Sequence, residues 1–296
     1  MEPMYPLFPV FTFVNAFLIL LVLCVRRSLN LGASMLCIWI ALLDVIYGVN
    51  SILWADNKDL KAFMWCDIVT HLQVFFSISK PACTLIITRR LYLATKLEVD
   101  PPSSDKRRRE LLFDLGLGIA WPVICASIFY YIVQDCRFLI VEGQGCRSSV
   151  WPSGVEVLLL SIWPVVFPLI SSVFYCPCIL WTFYRHAREA DHALSSHPSL
   201  SRPAYNRILA LGFIDILIML PIGIVSLIPN FPLPAAYGFP FVFYPGWAPI
   251  HADWAPVAVT VAELNLRSFW ASWDMNFSRW ANAAQGLFVF AVFGFL

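Results

Sequence analysis

Charge is scarce in this sequence. Asp, Glu, Lys and Arg make up 13% of the 296 residues, about half the share usual in soluble domains. Apolar residues reach 59%, with a mean hydropathy of +0.72. A soluble globule of this size lacks the polar groups to cover so much apolar surface, so the bilayer has to be part of the solvent. Only five histidines are present, and His71 alone falls in an apolar run, which excludes a metal-dependent membrane hydrolase with its several His and Asp at helical spacing. The last apolar run holds no lysine, which excludes a retinal Schiff base. Met1-Glu2 lacks the basic start of a signal peptide, so the first apolar run reads as an anchor. Nucleic-acid binding, collagen-like, disordered and disulfide-scaffold classes find no support. No catalytic, metal or cofactor constellation is visible.

What the chain does have is apolar length. A helix crossing about 30 Å of hydrocarbon needs about 20 such residues. Spans are predicted at about 6–25, 31–53, 66–88, 113–133, 157–184, 208–228 and 273–296. The uncharged stretch 231–250 carries Pro232, Pro234, Pro240, Pro245 and Pro249. Lipid offers nothing to replace the helix hydrogen bonds those prolines remove, so it reads as an outer loop. Arg26, Arg27, Arg89, Arg90, Lys96, Lys106 to Arg109, Arg185, Arg188, Arg202 and Arg207 fall on one side of the spans. Lys58, Lys61, Arg137, Arg147 and Arg267 fall on the other. The basic side is cytoplasmic. The expectation is a single all-α, seven-helix membrane bundle, residues 1–296, with its amino terminus outside and no carboxy-terminal cytoplasmic tail.

Six of nine cysteines, Cys24, Cys37, Cys83, Cys125, Cys176 and Cys178, fall in spans and read as small buried hydrophobes. The outer three are Cys66, Cys136 and Cys146. An oxidising outer face predicts one disulfide, Cys66–Cys146, with Cys66–Cys136 as the rival. The sequon Asn276-Phe277-Ser278 lies too near the last span to predict a glycan.

Ionisable groups within spans are costly and point to function; they are Asp44, His71, Lys80, Asp215 and Arg279. Lys80 reads either as an internal counter-charge to Asp44 or Asp215 or as a group facing a hydrated cavity. Asp215, near the inner surface, is expected to pair with a cytoplasmic-end arginine. Pro81, Pro122, Pro164, Pro168, Pro177 and Pro221 permit kinks.

Several segments, in order, resemble the fungal lipopeptide (a-factor-type) mating-pheromone receptors, class D G-protein-coupled receptors. They begin with Leu29-Asn30-Leu31-Gly32, Trp39, Asn50 and Trp54-Ala55-Asp56-Asn57. Trp65-Cys66-Asp67-Ile68 and Arg89-Arg90-Leu91-Tyr92 bracket the third span, and Tyr131 to Gln134, Arg137-Phe138 and Gly145-Cys146 resemble the second outer loop. Trp163-Pro164, Ser172 to Tyr175, Leu194-Ser195-Ser196, Tyr205, Arg207, Pro221 and Phe293-Gly294-Phe295 follow. The chain departs from the family pattern at Leu29, where a tryptophan is usual, and in stopping at Leu296.

The resemblance implies a plasma-membrane receptor for a farnesylated peptide pheromone, activating a heterotrimeric G protein through its α subunit. The alternatives are a multi-span transporter or channel, or a truncated non-signalling paralogue. An aromatic third outer loop including Phe241, Tyr244 and Trp247 suits a greasy ligand, and Arg137 and Glu142 would read its polar part. Arg89, Arg90, Arg185, Arg188 and Arg207 would face the G protein.

Overall fold

The computed structural model describes residues 5–26, 30–95, 104–185, 202–227, 242–267 and 269–294. Among them, seven long helices follow the apolar runs: α1 (Leu7–Val25), α2 (Leu31–Leu53), α3 (Phe63–Thr95), α4 (Ser104–Ile132), α5 (154–185), α6 (Arg202–Leu227) and α7 (Phe269–Gly294). Five stretches are long and apolar enough to cross a membrane: α1, α2, α4, Trp163–Thr182 of α5 and Arg207–Leu227 of α6. The helices α3 and α7 carry more polar side chains.

Helix starts follow local chemistry. The Asn30 side chain accepts from Ala33 N–H at 2.7 Å and caps α2; Ser153 Oγ accepts from Glu156 N–H at 3.2 Å and caps α5. The helix α4 starts well before its apolar run, so Lys106 to Arg109 lie in its first turns rather than in a loop. Asp105 in that first turn suits the positive end of the helix dipole. The helix α7 starts at Phe269, four residues before the apolar run suggested. Of the proline-rich stretch, residues 242–250 form a loop and one helical turn, Trp247–Ile250; residues 231–241 lie outside the described residues.

The helices close into a ring. α1 lies against α2 and α7, α2 against α3, and α6 against α5 and α7, while α3 packs on α2, α4, α5 and α6. Close crossings need glycine: a Cβ on Gly286 of α7 would clash with Asn15 Nδ2, and one on Gly223 of α6 would meet the Pro164 carbonyl oxygen at 2.7 Å.

Prolines are accommodated by neighbours. Pro122 has no N–H and pushes away from the carbonyl four residues earlier, that of Gly118. The helix widens to a π turn at Gly116–Ala120, and Ser79 Oγ of α3 donates to that carbonyl at 2.5 Å. Similar widenings at Val157–Ser161 and Ser171–Tyr175 precede Pro164 and Pro177 in α5.

One end of the ring carries a small sheet. Strand β1 (Leu139–Val141) pairs antiparallel with β2 (Gly145–Arg147) and parallel with β3 (Val257–Val259). It brings the α4–α5 connection and the segment before α7 together over the helix ends. Cys37, Cys83, Cys125 and Cys176 are buried, but Cys24 and Cys178 are exposed on the outside of the ring. That corrects the expectation that all six helical cysteines sit in the core.

Candidate functional site

The sheet end is tied down by Cys66 at the start of α3 and Cys146 in β2, which form a disulfide with Cα atoms 5.2 Å apart. The Cys146 carbonyl accepts from Gln73 Nε2 at 2.9 Å and Asn50 Nδ2 at 3.3 Å. Cys136 remains a buried free thiol, pushed up to about 11 by burial and then by the neighbouring Asp135 carboxylate. Arg137 makes a two-pronged bond to Asp67 of α3, Nε to Oδ1 at 2.9 Å and Nη2 to Oδ2 at 2.6 Å. Those bonds raise its pKa further above the ordinary arginine value. This arrangement pins the α4–α5 connection to the helix that carries Cys66.

Beneath the sheet lies a cavity of about 550 Å³, bounded by α2, α3, α5, α6 and α7. Phe76, Leu160, Met219 and Ile222 make its apolar wall. Gln73, Arg147, Glu156 and Asp274 line it on the sheet side, and Lys80 and Asn282 line it at depth. Arg147 Nη2 donates to Gln144 Oε1 at 3.2 Å and to the Met275 carbonyl at 3.3 Å. Asp274 Oδ1 accepts from Ser226 Oγ at 2.6 Å.

Below the cavity polar contacts link five helices, α1, α2, α3, α6 and α7. Lys80 Nζ donates to Asn282 Oδ1 at 2.6 Å. Asn282 Nδ2 donates in turn to Asp44 Oδ1 at 2.9 Å, and Asn15 Nδ2 donates to Asp44 Oδ2 at 2.6 Å. Asp215 accepts from Thr84 Oγ1 and Gln285 Nε2. Asp215 and Asp44 are the carboxylates whose charge acts on Lys80. Lys80 thus reaches Asp44 through an amide instead of touching it, and Asp215 bonds a hydroxyl and an amide, not an arginine. That corrects the expected arginine partner. Its physical reason is position: Asp215 faces α3 and α7 in the ring, where Thr84 and Gln285 stand. Arg279, also buried, donates from Nη2 to Ser51 Oγ at 2.8 Å and lies 4.2 Å from the Phe8 ring centroid. His71 Nδ1 is 2.8 Å from the Asp67 carbonyl one turn back, and its ring packs edge-on to Phe129.

At the end opposite the sheet, Arg89 and Arg90 turn sideways onto buried Asp114 of α4, Arg89 at 3.3 Å. Arg26 Nε donates to the Phe293 carbonyl at 3.1 Å, tying α1 to the end of α7. Arg207 is half-buried. Arg188 and the side chain of Arg185 lie outside the described residues.

Of the ligand contacts expected from the sequence, Arg137 is held by Asp67, and Glu142 N–H donates to the Val259 carbonyl at 3.1 Å. Tyr244 and Trp247 are exposed, and Trp247 stacks on His251. None of these four lines the cavity, and Phe241 lies outside the described residues. The groups that do line it with charge are Lys80, Arg147, Glu156 and Asp274. Among the described residues no cluster of three or more His, Cys, Asp and Glu could hold a metal ion.

The family description "Pheromone A receptor" matches residues 7–296. The chain belongs to the pheromone A receptor family. Among the members it is similar to, the Pheromone B alpha 2 receptor of Schizophyllum commune is 30% identical over 298 residues, covering 100% of this chain and 44% of that protein. The Pheromone B alpha 3 receptor of the same species is 32% identical over 231 residues, 78% of this chain and 37% of that protein. Pheromone receptor 1 of Mycosarcoma maydis is 27% identical over 288 residues, 97% of this chain and 79% of that protein. The chain therefore spans less than half the length of the two Schizophyllum family members. Within this family, the part matched here is the helical ring and its cap.

Proposed function

We propose that this chain is a plasma-membrane receptor that crosses the bilayer seven times, binds a prenylated peptide pheromone and activates a heterotrimeric G protein through its α subunit. The sheet end, with the amino terminus, faces outside, and the arginine-rich end faces the cytosol. The observation that carries this reading is the cavity beneath a disulfide-tied cap, with a buried charge network directly below it. A ligand entering there meets Lys80 and Asn282 and can disturb the contacts among α1, α2, α3 and α7. Membership of the pheromone A receptor family, and similarity to pheromone receptors of Schizophyllum commune and Mycosarcoma maydis, support the ligand class. Each CH₂ of a prenyl chain adds about 0.8 kcal/mol on burial, which concentrates such a ligand in the membrane before it docks. Activation is then a population shift: the ligand must bind the signalling arrangement better than the resting one.

The test is GTP exchange on a Gα subunit in membranes carrying this chain, challenged with a panel of farnesylated peptides. Ligand-dependent exchange is expected. Absence of exchange across the panel, with the chain confirmed at the surface, overturns the reading.

A further inference from the structure

The cavity contains one acidic side chain whose position local structure does not explain. Ser153-Gly154-Val155-Glu156 has the spacing of a capping box, in which the glutamate carboxylate normally returns to the N–H of the capping serine. Here Ser153 Oγ does accept from Glu156 N–H at 3.2 Å. The Glu156 carboxylate points elsewhere. Its Oε1 accepts from Ser161 Oγ at 2.5 Å, and its Oε2 has no partner among the described residues. The side chain is 2% exposed and lines the cavity.

The other charges of the cavity each have bonded partners, although Arg147 Nε, like Glu156 Oε2, has none among the described residues. Lys80 is held by Asn282 and lies in the field of Asp215 and Asp44. Asp274 accepts from Ser226 and lies in the field of Arg147. Among the described residues, Glu156 forms no ion pair. A buried carboxylate oxygen without a donor is costly, so the site is incomplete until something supplies one. The space beside it is a cavity and not packed side chains.

We infer that Glu156 is a ligand-recognition residue that takes a cationic group of the peptide, its free α-ammonium or a basic side chain, at the α5 side of the cavity. This rests on the reading of the chain as a peptide receptor. A primary ammonium or guanidinium supplies the missing N–H donor and the opposite charge, and the adjoining wall of Leu160, Met219 and Ile222 accepts apolar neighbours in the same peptide. Glu156 thereby sets specificity for charge, while the wall tolerates variation in apolar residues.

The experiment uses farnesylated peptides that activate the full chain, each synthesised as is, N-acetylated, and with basic side chains replaced by neutral isosteres. Dose–response curves are taken on wild type, Glu156→Gln and Glu156→Asp, with surface level measured in parallel. On wild type, neutralising one of the cationic groups should raise the half-maximal concentration tenfold or more. On Glu156→Gln, the charged peptide should weaken to the level of its neutral counterpart and the two should no longer differ. Glu156→Asp should recover part of the difference. Equal losses for charged and neutral peptides on Glu156→Gln, or no loss for either, overturn the assignment. A poorly displayed Glu156→Gln would be judged by Glu156→Asp and by the neutral peptides on wild type, where an unchanged potency for every neutralised peptide is equally fatal. If no peptide activates wild type, it is the receptor reading that fails.

Discussion

The cap and the middle of the ring handle charge in opposite ways. In the cap, opposite charges touch: Arg137 grips Asp67, Lys58 reaches Glu263 at 3.1 Å, and a covalent bond ties Cys66 to Cys146. In the middle, Lys80, Asp44 and Asp215 are separated by Asn282, Asn15, Gln285 and Thr84, which bond to them individually. Water can solvate an exposed pair that breaks, so contacts in the cap can be direct and individually weak. A charge buried between helices is removed from bulk water, and there each ion relies on donors and acceptors from its neighbours. Asn282 does this by accepting from Lys80 and donating to Asp44 at once, while Asn15 and Gln285 serve as donors. The cap holds by direct connection, whereas the middle keeps its charges apart on amide and hydroxyl partners.

The sharpest way to break this contrast is Lys80→Met. It leaves Asp44 and Asp215 without their cation and should cost about 3–5 kcal/mol, the range for unpairing a buried charge. The readout is apparent melting temperature in detergent together with surface level. Adding Asp215→Asn should recover a substantial part, since it removes a stranded charge along with its need for a partner. A Lys80→Met protein as stable as wild type would show that the network's charges do not support one another.

Next in size is the disulfide. Its sequence separation is 80 residues, and cross-links closing loops of that order contribute about 4 kcal/mol in the chain-entropy view. Cys66→Ser and Cys146→Ser should each lower the melting temperature, and the double variant should lose no more than either single one. Additive losses would mean that the two sulfurs act separately.

The smallest effect belongs to the Arg137–Asp67 pair, which is more than a third exposed on both sides. Arg137→Ala should cost no more than about 1 kcal/mol, and a cycle with Asp67→Ala should find coupling of that size, weakening as salt rises. Coupling as large as that of the Lys80 network would erase the distinction between cap and middle.

The sequence made part of this arrangement legible. A lone Asp or Lys inside an apolar run is conspicuous, so Asp44, Lys80 and Asp215 stood out as a set, and Cys66 and Cys146 followed from their place beside the spans. The amides Asn15, Asn282 and Gln285 did not stand out, because uncharged polar residues are ordinary in such runs and only a three-dimensional register shows which of them meet. Glu156 is inconspicuous in the sequence because it stands one residue before the charge-free stretch that begins at Val157. Arg137, Tyr244 and Trp247, by contrast, are conspicuous in the sequence but do not line the cavity. Chemistry suited to a ligand is visible in sequence, but Asp67 as a competitor for Arg137, and the stacking of Trp247 on His251, are not.

The bond from Ser79 to the carbonyl freed by Pro122 has a consequence for motion. Rotating α4 by one residue step, about 100°, or sliding it along α3, would strand that oxygen in hydrocarbon with no donor, at a cost of several kcal/mol. The two helices are therefore coupled at that point, and turning or sliding one against the other breaks the bond.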